Sequence, residues 1–234
     1  MSEKISLPIS IVLAGLLIAG GIYLNGRIEK TNPTTQKQEN VSKSFADTLR
    51  PIGTEDHILG SSDARVVVVE YSDTECPYCK NFHNTMNTIM QEYGKDGKVA
   101  WVYRHYPIAQ LHTKSFQESV ATECAASLGG NSKFWEYINK VYEVTLSNDK
   151  LDPAQLTTIA KQVGLSSSAF DACLNSGEFE AKVNADIKNA GEVGIAGTPY
   201  SVIIDTKNNE FYPLEGAYPY AQVKSIIDAI LASN

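Results

Sequence analysis

The hydrophobic and polar positions along the chain fall into blocks of different period. From Ile5 to Gly26 no side chain is charged, and ISLPISIVLAGLLIAGGIYL is about 20 residues of almost unbroken apolar character. At a helical rise of about 1.5 Å per residue that stretch matches a bilayer core of roughly 30 Å, so a transmembrane helix is expected over 1–26. A cleaved signal segment stays open as the alternative, with Ala19-Gly20-Gly21 as a small-residue site. Residues 27–44 are polar and aperiodic and read as a flexible stalk.

Beyond the stalk the pattern changes to short β-branched runs and helical spacings. VVVVEY, bounded by Arg65 and Ser72, reads as a buried strand, and KVAWVYRH from Lys98 to His105 as a second. Between them Phe82, Met86, Ile89, Met90 and Tyr93 recur at helical spacing, with Pro77 where a helix tolerates proline, in its first turn. The distance suits a parallel βαβ unit. Helical patterns follow near 113–128, 132–146, 153–164 and 167–193, the last broken around Ser176-Gly177. Asp152-Pro153 reads as an N-cap and first helical residue. Strand character returns at Tyr200–Asp205 and Glu210–Leu214, and a helix from about Pro219 to Leu231 ends the chain. The order implies an α/β domain over 45–112 and 194–234, split by an all-helical insertion over 113–193. Phe134, Trp135, Tyr137 and Tyr142 are expected to build the core of that insertion.

Charge narrows the partners. Over 234 residues, 20 Lys and Arg stand against 27 Asp and Glu, a net charge of −7, with no dense basic run, which argues against nucleic acid. Four cysteines are too few to scaffold a domain of this size, so they need a chemical explanation.

Cys76-Pro77-Tyr78-Cys79 sits where the first strand turns into the first helix. Unpaired amides and the dipole at a helix N-terminus favour a thiolate, so Cys76 is the expected nucleophile and Cys79, one turn on, its disulfide partner. Pro77 and Tyr78 lie between the sulfurs, where residue choice tunes the potential and meets the substrate. A plain stabilising bridge and a zinc site are the other readings; zinc is disfavoured, since His83 follows Cys79 at the right spacing but no second pair completes four ligands. Neither metal nor organic cofactor is expected. Cys124 and Cys173 both lie in the helical block. In an exported protein they suggest a structural disulfide, which would close a loop of about 50 residues and stabilise by roughly 4 kcal/mol. Two buried free thiols or a regulatory pair are the alternatives. His83, His105 and His112 are read as ordinary packing or hydrogen-bonding residues. Gly197-Thr198-Pro199 shows, by itself, only a turn before the strand YSVIID.

These residues together resemble the DsbA-like thiol:disulfide oxidoreductases of the thioredoxin superfamily. The resemblance runs from about Phe45 to Asn234 and rests on DHILG-x-x-DA, VVVVEYSDTECPYC, WVYRHYP, KFWEY and GIAGTPYSVI, in that order. It implies a thioredoxin fold with an inserted helical domain and disulfide chemistry outside the cytoplasm. By position, Cys76 resembles the attacking cysteine, Cys79 the buried one and Pro199 a cis-proline, with Thr198 pairing its backbone to an extended client. Glu70, six residues before Cys76, falls where the family carries a buried acid that shuttles a proton for the buried cysteine. A strand-end carboxylate facing water is the other reading. The chain carries Tyr78 and Thr198 where the best-known members have histidine and valine, and CPYC also occurs in glutaredoxins and isomerase-type proteins.

The expectation is a monomeric, membrane-tethered oxidase of the cell envelope, donating the Cys76–Cys79 disulfide to reduced or unfolded exported proteins. A quinone-linked partner of the DsbB or VKOR kind would reoxidise it. A reductase or isomerase of the same fold, or a non-catalytic binding module for thiol-bearing proteins, are the alternatives.

Overall fold

A computed structural model describes residues 33–233. The membrane segment expected over 1–26 lies outside the described residues. Among the described residues no helix is long and apolar enough to cross a membrane.

The two β-branched runs form β2 (Val66–Ser72) and β3 (Val99–His105), which pair in parallel, Val66 beside Val99 and Ser72 beside His105. Every residue of both strands is buried, which is why neither shows hydrophobic alternation. The helix between them, α2, covers Pro77–Ile89 and closes in a π-helical turn over Met90–Gly94. On the other side of β2, β4 (Tyr200–Asp205) runs antiparallel and carries β5 (Glu210–Glu215) at the edge. One strand escaped the sequence reading: His57–Leu59, β1, pairs antiparallel with β3 at the opposite edge, giving the order β1-β3-β2-β4-β5. Three residues are too short to show a period.

Alternation along β2 divides its side chains between two cores. Val66 and Val68 meet Phe82, Met86 and Ile89 of α2 and Val223, Ile227 and Ile230 of the last helix. Val67, Val69 and Tyr71 point to the other face, with Phe45, Leu49, Ala190 and Ile195. That second face explains a departure from expectation. The polar segment read as stalk through residue 44 is helical from Pro33 to Thr48, here α1. Phe45 and Leu49, one turn apart, are buried, Phe45 stacks on Phe211 at 6.2 Å, and Gln38 Nε2 donates to the Phe211 carbonyl at 2.9 Å. Tertiary anchoring, which an aperiodic polar sequence does not advertise, holds this helix.

The helical block comprises α3 (Ser115–Gly129), α4 (Asn131–Val144), α5 (Ala154–Gln162), α6 (Ser167–Leu174) and α7 (Glu180–Val193); Tyr220–Ala232 is α8. Pro153 precedes α5 rather than opening it, while the Asp152 carboxylate accepts from the Ala154 amide. Residues 38–233 form one compact unit.

The block has a core of its own, in which Cys124, Tyr137, Val141, Leu156 and Phe170 meet. Only Tyr137 of the four aromatics assigned to that core lies in it. Phe134, Trp135 and Tyr142 turn instead into the core between sheet and α2, Trp135 packing on Trp101 at 4.7 Å. The buried residues of α4 serve two cores, so its aromatics divide between them. Behind this seam Glu123 of α3 accepts from His105 Nε2 at 2.8 Å, His57 Nε2 at 2.9 Å and Lys182 Nζ at 3.0 Å. Burial alone raises the Glu123 carboxyl, but the His105 and His57 contacts outweigh it and hold it well below the carboxylate range.

Candidate active site

The site lies where β2 ends and α2 begins. Cys76 is the N-cap of α2, with extended backbone (φ −78°, ψ 122°), and Pro77 follows in the first turn. Its Sγ is 3.5 Å from the Thr198 carbonyl oxygen, and the Thr198–Pro199 peptide is cis. Cys79 lies one turn on, fully buried. Both are free thiols here.

The two sulfurs sit in opposite surroundings. The Cys76 thiol is lowered to about 6, first by the hydrogen bond from the Cys79 thiol, then by the Cys79 and Tyr78 amides and Thr198, against the opposing effect of burial. The amide contribution is the helix-terminus effect in atomic form. Burial pushes the Cys79 thiol well above its ordinary value, and negative charge at Cys76 and Glu70 adds to the rise. The Asp73 amide donates to Cys79 Sγ at 3.4 Å.

Glu70 lies on the face of β2 turned towards α2 and is fully buried. A water-facing carboxylate is thereby excluded. Trp101 Nε1 donates to its Oε2 at 2.9 Å, while Oε1 has no hydrogen-bond partner among the described residues. Burial raises this carboxyl to about 7; the Ser72 hydroxyl and the Trp101 indole moderate the rise, and the charge at Cys76 adds to it. A buried group poised near neutrality can both give and take a proton.

A cleft of about 450 Å³ opens over Cys76, walled by Tyr78, Leu111, His112, Asn148 and Thr198. Tyr78 and Leu111 are exposed apolar side chains at its rim, 64% and 67% accessible. A second hollow of about 360 Å³ shares Gly197 and Thr198 with it and continues past Pro199 to Glu215. The Pro199 carbonyl accepts from Gly216 N at 2.9 Å, whereas the Thr198 amide donates to no group among the described residues. Among the described residues the Thr198 amide is thus an unpaired donor on the residue whose carbonyl meets Cys76 Sγ.

The remaining cysteines lie elsewhere. Cys124 of α3 and Cys173 of α6 form a disulfide with Cα atoms 5.8 Å apart, inside the helical block. His83 is buried, bonded through Nε2 to Asn139 at 2.6 Å and lowered to about 4 by burial, so it is a neutral packing residue. His105 belongs to the Glu123 cluster. His112 has the expected hydrogen-bonding role, through Nδ1 to Asp73, and it also lines the Cys76 cleft. Asp73 and Asn148 were missed. Asp73, three residues before Cys76, holds the Glu75 and Ile108 amides and the His112 ring. Asn148 is presented by a loop in which Ser147, Asn148 and Asp149 all have positive φ. A periodicity argument does not reach such a loop.

Comparison with known proteins agrees with this geometry. The family model described as thioredoxin matches residues 53–229. Among solved structures, DsbA2 of Pseudomonas aeruginosa is 25% identical with a TM-score of 0.63, over 77% of this chain and 97% of that one. Oxidised BdbD of Bacillus subtilis is 23% identical with a TM-score of 0.68, over 78% and 96%. The Na(+)/H(+) antiporter NhaA 1 of Mycolicibacterium vanbaalenii is 30% identical over 154 residues, which are 64% of this chain and 24% of the antiporter. The chain thus spans about a quarter of the length of the curated relatives it matches.

Proposed function

The chain belongs to the thioredoxin family, as a DsbA-like oxidoreductase, and from that premise we propose that it donates the Cys76–Cys79 disulfide to client proteins. The asymmetry of the two thiols carries the reading. A client thiolate attacks Cys76 Sγ; the bond to Cys79 breaks and its electron pair leaves on Cys79 Sγ. Glu70, near neutrality and buried with that sulfur, supplies the proton that an apolar site demands. The client's second thiolate then attacks the client sulfur of the mixed disulfide, and Cys76 leaves as a thiolate. Its lowered pKa makes it a good leaving group. Two electrons move from client to protein.

The unpaired Thr198 amide, beside the cis Pro199, supports client binding by strand addition, which reads main chain and so accepts many sequences. Pro77 and Tyr78 form the near wall of the same cleft. We place the protein on the extracytoplasmic face, as a monomer tethered through its N-terminal segment and reoxidised by a quinone-linked membrane protein of the DsbB or VKOR kind. The apolar run Ile5–Gly26 and the Cys124–Cys173 disulfide support that location.

The direct test mixes the oxidised protein with a reduced two-cysteine peptide. One peptide disulfide per protein dithiol is expected. A protein that stays oxidised, yet as a dithiol reduces the peptide's disulfide, would reverse the direction. Recovery of the intact chain in washed membranes tests the tether; a truncated, soluble form contradicts it.

A further inference from the structure

His112 stands in the loop between β3 and α3, far in sequence from the cysteines. Its backbone is fixed at both ends, the amide donating to Ile108 O at 2.9 Å and the carbonyl accepting from Ser115 Oγ at 2.9 Å. The ring is fixed as well. Nδ1 lies 2.9 Å from Asp73 Oδ2, and since a carboxylate only accepts, Nδ1 is the donor. The same Oδ2 takes the Ile108 amide at 2.8 Å, so one oxygen of Asp73 sets both the loop and the imidazole. Among the described residues Nε2 has no hydrogen-bond partner, and His112 is the only basic side chain lining the cleft over Cys76.

The geometry points to His112 as a further catalytic residue of thiol–disulfide exchange: through Nε2 it meets the thiolate sulfurs that pass through the cleft, and Asp73 is its positioning residue. The inference rests on Cys76 as the exchanging cysteine of the function proposed above. When the client disulfide forms, the client–Cys76 bond breaks and its electron pair stays on Cys76 Sγ. The imidazolium then neutralises that new charge; on the way in, the same cation draws the client thiolate towards the sulfur it attacks. With tyrosine between the cysteines, no basic group comes from the CPYC turn itself.

The surroundings favour the charged ring. Burial works against it, but the Asp73 hydrogen bond and charge, with the charges of Cys76 and Asp149, raise the imidazole above its ordinary value. Among the described residues those three are the ionisable groups acting on it, from the loop after β2, the N-terminus of α2 and the loop after α4. Lys114, two residues on, has its ammonium on the Asp149 and Leu151 carbonyls.

Two measurements on the full chain test this without client or electron acceptor, so they stand whichever way the protein runs. In the first, the imidazole of His112 is titrated by NMR in the reduced and oxidised proteins. A higher pKa in the reduced protein is expected, because the thiolate is present only there; equal values would overturn the inference. In the second, alkylation of Cys76 by iodoacetamide is followed from pH 4 to 9. The wild-type curve should show a second inflection as His112 loses its proton. His112→Gln should abolish it and lower reactivity near pH 5 by about three- to tenfold, and His112→Lys should restore reactivity without the inflection. A His112→Gln curve that superimposes on the wild type, at unchanged melting temperature, would refute the role. Failure of the wild-type protein to oxidise the peptide would sink the proposed function and leave this pairing intact.

Discussion

The chain holds two cysteine pairs, and they differ in everything but the atom. Cys124 and Cys173 join α3 to α6, their Cα atoms 5.8 Å apart, within a packed apolar cluster. Cys76 and Cys79 stand one turn apart on a single helix, and every polar neighbour distinguishes them. Amides and the Cys79 thiol face the outer sulfur, while burial and Glu70 weigh on the inner one. A disulfide exchanges rapidly when one sulfur is reachable and leaves well. The comparison teaches that a sulfur's surroundings, not its pairing, decide whether a bridge is structural or catalytic.

The sharpest way to break this comparison is Cys76→Ser, which should abolish exchange with a dithiol peptide entirely. Residual turnover above the uncatalysed rate would move the nucleophile elsewhere. Cys79→Ser should instead trap a client–Cys76 mixed disulfide, visible as a mass adduct on non-reducing gels.

Glu70→Gln should come next, slowing release of Cys79 by on the order of ten- to a hundredfold while client binding stays unchanged. It also has a pH signature. The folded Glu70 carboxyl titrates near 7 against an ordinary 4.5, so the folded state holds the extra proton between those values, and stability falls as pH rises from 4.5 through 7. Cys76 has the opposite sign. Its thiol titrates near 6 against 9.0, so the reduced protein gains stability as pH rises through that window and loses it as pH falls through 6. Urea melts of the reduced protein across pH should show both slopes. Glu70→Gln should remove only the first and Cys76→Ala only the second.

The smallest effect on exchange belongs to the other pair. Cys124→Ala with Cys173→Ala should leave the exchange rate within about twofold yet lower stability by roughly 2–5 kcal/mol. An exchange defect larger than the stability loss explains would show that the helical block communicates with the site. The route exists: Tyr142 of α4 reaches the Ser72 and Tyr103 hydroxyls at 3.0 Å each, next to Glu70 and Cys79.

Much of the site was legible because the informative residues are adjacent in sequence. β-Branched strand, CPYC and helical spacing follow one another without interruption, so strand-to-helix geometry and the identity of the nucleophile can be read from a single stretch. Glu70 was legible in position only through the family resemblance; its burial follows from β2 being covered on both faces, which a run of valines suggests and one glutamate obscures. Asp73 and His112 were not legible. They meet across 39 residues, and neither strand nor helix period connects them. The N-terminus of α3 shows the same limit, since the Asp149 carboxylate that accepts the Thr113 and Lys114 amides comes from 35 to 36 residues away. Helix α1 was misread for the converse reason, as a few tertiary contacts, those of Gln38, Phe45 and Leu49 among them, decide its fate.

The central claim is that unequal surroundings make the reduced pair the more stable one, and the reduction potential of Cys76–Cys79 tests it most directly. Equilibration of the protein with glutathione, Cys124 and Cys173 left intact, should give a value near about −120 mV, that of a strong disulfide donor. A value near about −270 mV, as in thioredoxin, would contradict the account and make the protein a reductant.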